Sequence, residues 1–159
     1  MLSTTQATIQ EYAEKTSDLL VAFASSDGEI VNQHFGSSRG FSVYSINAEK
    51  HELVFQTEFK AEKKDGNEEK LKAKLSYLIG CDIVFCASVG ASATRQLIAL
   101  GATPKQVKEG PDIEDLLDDL TAQLNGEPEF WLANILRQKQ KVNQSTSRFA
   151  ELDEEESWD

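Results

Sequence analysis

Asp82-Ile83-Val84-Phe85-Cys86-Ala87-Ser88-Val89-Gly90-Ala91 decides the fold. After Asp82, the next five residues form a continuous apolar run with no polar alternation, the pattern of a strand covered on both faces. Ser88-Val89-Gly90 breaks the run. Ala91 to Leu100 then favours a helix, with Leu97 and Leu100 facing inward and Gly101 at its stop. A buried strand that feeds a helix through a glycine is the unit of an α/β sheet.

Reading outward from this unit, Leu71, Leu75, Leu78 and Ile79 precede it at i, i+4, i+7, i+8 and predict a helix that Gly80 ends. Further upstream, Leu19 to Ala24 is a short apolar run closed by Ser25-Ser26-Asp27-Gly28. The Asp-Gly pair before Glu29-Ile30-Val31 predicts a tight turn into a short strand. Phe41 to Ile46 and Leu53 to Phe59 read as two further strands joined by a turn at Asn47 to Lys50, which makes an antiparallel meander. Downstream, Thr103 to Lys108 reads as a short strand. Asp112 opens a helix in which Ile113, Leu116, Leu117, Leu120 and Leu124 repeat at helical spacing, and Glu114, Asp115, Asp118 and Asp119 form a solvated face. Gly126 and Pro128 separate a final helix, Phe130 to Lys141.

The expectation is an α/β fold: a single domain with a mixed β-sheet flanked by helices, spanning residues 19–142. Residues 1–18 form an N-terminal arm, loose or briefly helical. Residues 143–159 form an acidic tail, and from Glu151 on, Glu151, Asp153 to Glu156 and Asp159 have no compensating base, the composition of a disordered segment.

Chain length and charge remove several function classes. The 159 residues suit one ordinary domain, and 16 Lys plus Arg against 27 Asp plus Glu give a net charge of -11. So negative a chain is repelled by phosphate backbones and anionic lipid, so no nucleic-acid or membrane partner is expected. No secretory signal or membrane-spanning run is evident, which predicts a cytoplasmic protein. Two cysteines, Cys81 and Cys86, make neither a disulfide framework nor a paired-cysteine zinc knuckle. A serine-hydrolase elbow, a nucleoside-triphosphate loop and a two-metal carboxylate centre are all missing, so an enzyme is not expected.

Two segments can still carry chemistry. In Asn32-Gln33-His34-Phe35-Gly36-Ser37-Ser38-Arg39 an imidazole stands among small, donor-rich residues, and Gly36, Ser37 and Ser38 let backbone amides approach a bulky anion. His34 is either a metal ligand or a hydrogen-bonded loop residue. In Cys86-Ala87-Ser88-Val89-Gly90-Ala91-Ser92 a strand passes into a helix whose free amides and positive dipole end suit negative charge, with Ser92 alternatively its cap. Cys86 is either a small core residue or a soft ligand at the strand's end. His51, between Glu49, Lys50 and Glu52, reads as a solvated turn residue. Right-handed crossovers bring the loops after the Leu19 and Asp82 strands to one sheet edge, where open α/β sheets bind ligands.

Taken in order, Val21 to Gly28, Val31-Asn32-Gln33-His34-Phe35-Gly36-Ser37-Ser38, Cys86 to Leu97 and Phe130-Trp131-Leu132 resemble the NifX-type nitrogenase iron-molybdenum cofactor biosynthesis proteins. The likeness runs from about Leu19 to Lys141. It implies a ribonuclease-H-like topology without nuclease activity, and a non-enzymatic carrier that moves iron-sulfur precursors of the iron-molybdenum cofactor between assembly proteins. The implied partners are the nitrogenase cofactor scaffold complex and the cofactor synthase. The alternative is a protein-interaction module that regulates nitrogenase assembly without binding cofactor. The arm before Leu19 is too short for the extra N-terminal domain of the apo-dinitrogenase-binding gamma-type relatives, which favours the carrier branch. By this resemblance His34 holds the cluster, with Cys86 a second metal-ligand candidate. Phe35, Gly36, Ser37, Ser38, Arg39, Gly90 and Ser92, with Arg95 in addition, are the candidates to surround the cargo. A preassembled cluster needs only one or two weak protein ligands if it is to be released.

Overall fold

The computed structural model describes residues 8–59 and 68–141. Five strands form one mixed sheet: β1 Leu19–Ala24, β2 Gly40–Ile46, β3 His51–Glu58, β4 Ile83–Cys86 and β5 Thr103–Gln106. The helices are α1 Ile9–Glu14, α2 Glu68–Tyr77, α3 Ala91–Ala99 and α4 Ile113–Asn125, with α5 at residues 130–141. The strand order is β3-β2-β1-β4-β5. β2 runs antiparallel to both β1 and β3, while β1, β4 and β5 are parallel. This is the mixed α/β sheet that the sequence patterning predicts, in the ribonuclease-H-like order that the resemblance implies.

Burial divides the sheet into two faces by strand alternation. Leu20, Ala22, Ala24, Phe41, Val43, Val84 and Cys86 form one core cluster with Ile9 of α1, Leu75 and Leu78 beside it, and Ala93 and Leu97 of α3. The opposite face buries Leu19, Val21, Phe23, Ile83 and Phe85, with Phe23 and Phe85 stacked at 5.3 Å. There α4 brings Glu114 within 3.9 Å of His51 at the start of β3. With both faces covered, β1 and β4 are apolar throughout, which is why their sequences show no alternation.

The helix in the N-terminal arm packs. Thr8 caps α1 by accepting the Glu11 amide at 3.0 Å, and Ile9 is only 1% exposed. Gly80 makes this contact feasible. Its φ is +107°, and a Cβ there would lie 3.0 Å from Gln10 Cα, so a side chain would meet both backbone strain and α1.

One predicted strand is corrected. Glu29 to Val31 forms no strand: its ladder is one isolated bridge, Ile30 to Asp112, flanked by Val31 N–H to Pro111 O and Ile113 N–H to Glu29 O, while Val31 itself is buried. Asp27 Oδ1 accepts the amides of Glu29 at 2.8 Å and Ile30 at 3.2 Å, which takes those donors out of any ladder. The acidic face of α4 is exposed as expected. His51 is not free in a turn: it begins β3, and its ring lies 6.0 Å from that of Tyr44. Its nitrogen and the carboxylates of Glu114 and Asp118 fall within 4.8 Å of one another.

The sheet, α1 to α3 and most of α4 belong to a compact unit ending at Ala122, and a second unit begins at Gln123. In the second, Gln123 Oε1 accepts the Glu129 amide at 2.9 Å, and Trp131 Nε1 donates to Glu129 Oε2 at 2.7 Å. The acidic tail lies outside the described residues. Among the described residues no helix is long and apolar enough to cross a membrane.

Candidate functional site

Because β1 and β4 are adjacent and parallel, with Phe23 opposite Phe85, the loops that follow them emerge from the same edge. They are then laced together. Ala87 N–H donates to Gln33 O at 2.9 Å and Phe35 N–H to Ser88 O at 2.8 Å, so His34 and Ser88 form a parallel bridge beyond the strands. Neighbouring side chains in such extended backbone point to opposite sides. Phe35 points inward, fully buried and 5.7 Å from Phe41. His34 is exposed, and its Nε2 lies 3.5 Å from Ser88 Oγ. A buried aromatic thus anchors an exposed imidazole.

The following turn, closed by Ser38 N–H to Phe35 O at 3.3 Å, presents Gly36 and Ser37 at the surface. Ser38 is buried, donates to Gly40 O at 2.7 Å and accepts the Gly40 amide, so its hydroxyl holds the loop's return to β2. Arg39 is exposed, with its amide bonded to Gln33 Oε1 at 3.0 Å.

Two residues beyond Ser88, Gly90 is the N-cap of α3 and offers no side-chain cap. Ser92 is not the cap. Its hydroxyl accepts from Gln96 Nε2 at 3.1 Å within the helix. The amides of Ala91, Ser92 and Ala93 therefore have no acceptor among the described residues, and the first intrahelical bond is Thr94 N–H to Gly90 O. Neither Gly36 nor Gly90 has a positive φ, and a Cβ on either would meet nothing within 4 Å. Glycine at both positions leaves open space on the outside and is not required by the fold.

The structure brings His34, Gly36, Ser37, Arg39 and the Ser88 to Ser92 segment to one edge and assigns Phe35 and Ser38 to the loop's buried footing. Cys86 is fully buried in the core cluster, and burial pushes its thiol up to about 11. A thiol held neutral that way favours the packing reading of Cys86 over the ligand reading. Sequence reasoning passed over Lys74. This α2 side chain is 1% exposed, and its Nζ donates to Gly36 O at 2.6 Å.

Fold and edge together define a ribonuclease-H-like α/β protein whose exposed imidazole stands at the strand ends where such sheets take ligands. The chain belongs to the dinitrogenase iron-molybdenum cofactor family, whose model matches residues 17–123. It is 48% identical over 119 residues to protein NifX of Azotobacter vinelandii, covering 75% of each chain. To NifX of Klebsiella pneumoniae it is 32% identical over 139 residues, covering 87% of this chain and 83% of that one. NifY of Klebsiella pneumoniae is 28% identical over 124 residues and is matched along 53% of its length. Among solved structures, the crystal structure of PH0822 shares the fold, with a TM-score of 0.50 and 24% identity over 65% of this chain and 89% of that one. Membership among NifX and NifY proteins gives the chain a role in biosynthesis of the nitrogenase iron-molybdenum cofactor.

Proposed function

We propose that the protein is a cytoplasmic, non-catalytic carrier that holds an iron-sulfur precursor of the iron-molybdenum cofactor at the His34 edge and passes it between assembly proteins, the cofactor scaffold complex and the cofactor synthase. One observation carries this reading: the bridge between His34 and Ser88 exposes an imidazole beside an uncapped helix start, with space kept open by two glycines that the fold does not demand. His34 is the exchangeable ligand to iron. The Ser37 and first-turn α3 amides, with Arg39, answer the cluster's negative charge. Cys86 stays in the core. One imidazole plus weak donors suits cargo that must leave intact, because a cluster whose irons are already bridged by sulfide needs little from the protein.

The test is anaerobic loading of the full chain with iron-sulfur precursor, followed by visible absorption and iron analysis after gel filtration. The wild-type protein is expected to stay brown. His34→Ala should lose cargo roughly tenfold faster with an unchanged thermal midpoint, because an exposed ring contributes little to folding. Retention by His34→Ala equal to wild type removes the imidazole from the site. Protein that stays colourless with every donor, yet co-purifies with assembly proteins, replaces the carrier reading with an interaction module.

A further inference from the structure

Lysines near a helix end ordinarily carry the ammonium out to water. Lys74, in the last turn of α2, does the opposite. It is among the largest fully buried side chains of the molecule, its Nζ lies 5.5 Å from the centroid of the Phe59 ring, and it donates to Gly36 O at 2.6 Å. Enclosing a lysine is expensive, and one visible use of this one is to hold a single carbonyl in an exposed loop 38 residues away.

That bond has a geometric consequence. In a planar trans peptide the C=O and the following N–H point in opposite directions. With Gly36 O drawn inward to Nζ, Ser37 N–H is turned outward. The turn's other bonds leave it there: Ser38 N–H closes on Phe35 O, and Phe35 N–H is used by Ser88 O. Among the described residues nothing accepts from Ser37 N–H. The missing side chain of Gly36, where a Cβ would meet nothing, leaves the space beside that amide open.

We infer that Lys74 is a positioning residue, which pins the Gly36–Ser37 peptide so that Ser37 N–H donates to a sulfide of the anionic cluster held at His34. The inference rests on the carrier reading for its ligand but not for its geometry. Lys74 touches no cargo. It acts from behind the loop, fixing the donor's direction, so the donor is set before the cluster arrives.

Two variants of the full chain test it, with a thiolate-capped [4Fe–4S] cluster as the probe under anaerobic conditions. Lys74→Met keeps an unbranched chain of similar length and removes the donor. Its Ser37 amide resonance should shift in the cargo-free protein while resonances of the sheet stay in place, and its probe affinity should fall roughly tenfold. In the second variant an ester replaces the Gly36–Ser37 amide, which deletes the N–H, keeps the Lys74 side chain and the core, and leaves Gly36 O as a weaker acceptor for Nζ. It should lose a similar factor while remaining folded, and it decides the donor role alone if Lys74→Met does not fold. An ester variant that binds the probe as tightly as wild type overturns the donor role. A folded Lys74→Met with an unmoved Ser37 resonance overturns the pinning. Wild-type protein that never retains the probe overturns the carrier reading and the donor role together, and the Ser37 resonance then still shows separately whether Lys74 sets the peptide.

Discussion

Two halves of one loop, Ser25 to Asn32 and His34 to Ser37, look alike in composition and differ in what they leave available. Both are small, polar and glycine-containing. In the first half the donors are consumed locally. Ser25 Oγ accepts the Gly28 amide at 2.9 Å, Asp27 Oδ1 accepts those of Glu29 and Ile30, and Asn32 Oδ1 accepts that of Ser26 at 3.1 Å. In the second half Phe35 is sunk into the core, Gly36 O is held by Lys74, and the imidazole and the Ser37 amide remain at the surface. Polar composition alone therefore does not make a binding edge. Donors that the loop has not already spent on itself do, and support from beneath keeps them in place.

The contrast is broken most directly at Gly36. Gly36→Ala should fold as well as wild type or gain about 0.4–1 kcal/mol, since its backbone needs no positive φ and the added methyl meets nothing. Yet cluster retention should fall about tenfold, because the methyl occupies space the cargo needs. Urea titration alongside anaerobic loading reads both, and loss of stability without loss of cargo would turn the open space into a folding feature.

A smaller effect is expected at the floor of the edge. Cys86→Ala should cost about 1 kcal/mol from lost burial and a small cavity, with cargo retention unchanged. The folded thiol titrates near 11 against an ordinary value of 9.0, so the unfolded chain loses its proton first. Wild-type stability relative to the alanine variant is thus full below about pH 9 and declines as pH rises toward 11. Cargo lost by this variant at equal stability would return the sulfur to the ligand set.

The least effect belongs to the self-satisfied half. Backbone amides, first those of Glu29 and Ile30, hold the Asp27 carboxyl below its ordinary value of 3.8. Its contribution is present above that value and lost as pH falls beneath it. Asp27→Ala should lower the thermal midpoint slightly at neutral pH, with the difference vanishing in acid, and should leave cluster retention alone. A loss of cargo here, measured on folded protein, would erase the distinction between the two halves.

Much of the architecture was legible because it follows from local patterning. The short unbroken apolar runs at Leu19 to Ala24 and Ile83 to Cys86, bounded by turn signals, read as covered strands, and the leucine spacing of Leu71, Leu75 and Leu78 marked α2. His34 was legible as an imidazole among small residues. Three features were not. The Glu29 to Val31 strand failed because Asp27 captured its amides, a side-chain choice that competes with any ladder. The cap of α3 fell on Gly90 and not on Ser92, since the helix begins where β4's extension ends. Lys74 reads in sequence as the polar side of an amphipathic helix, whereas in the fold it is buried and reaches a carbonyl 38 residues earlier.

The chain by itself determined the order of strands and helices, the two-faced core and the identity of the exposed imidazole, because hydrophobic periodicity and glycine placement are local properties that survive any packing. Tertiary structure alone decided which donors are free. That depends on β1 and β4 lying side by side, on His34 bridging Ser88, and on Lys74 reaching Gly36 from below. Hydrogen bonds between residues far apart in sequence exist only once the sheet has brought their elements together, and no spacing rule along the chain encodes them.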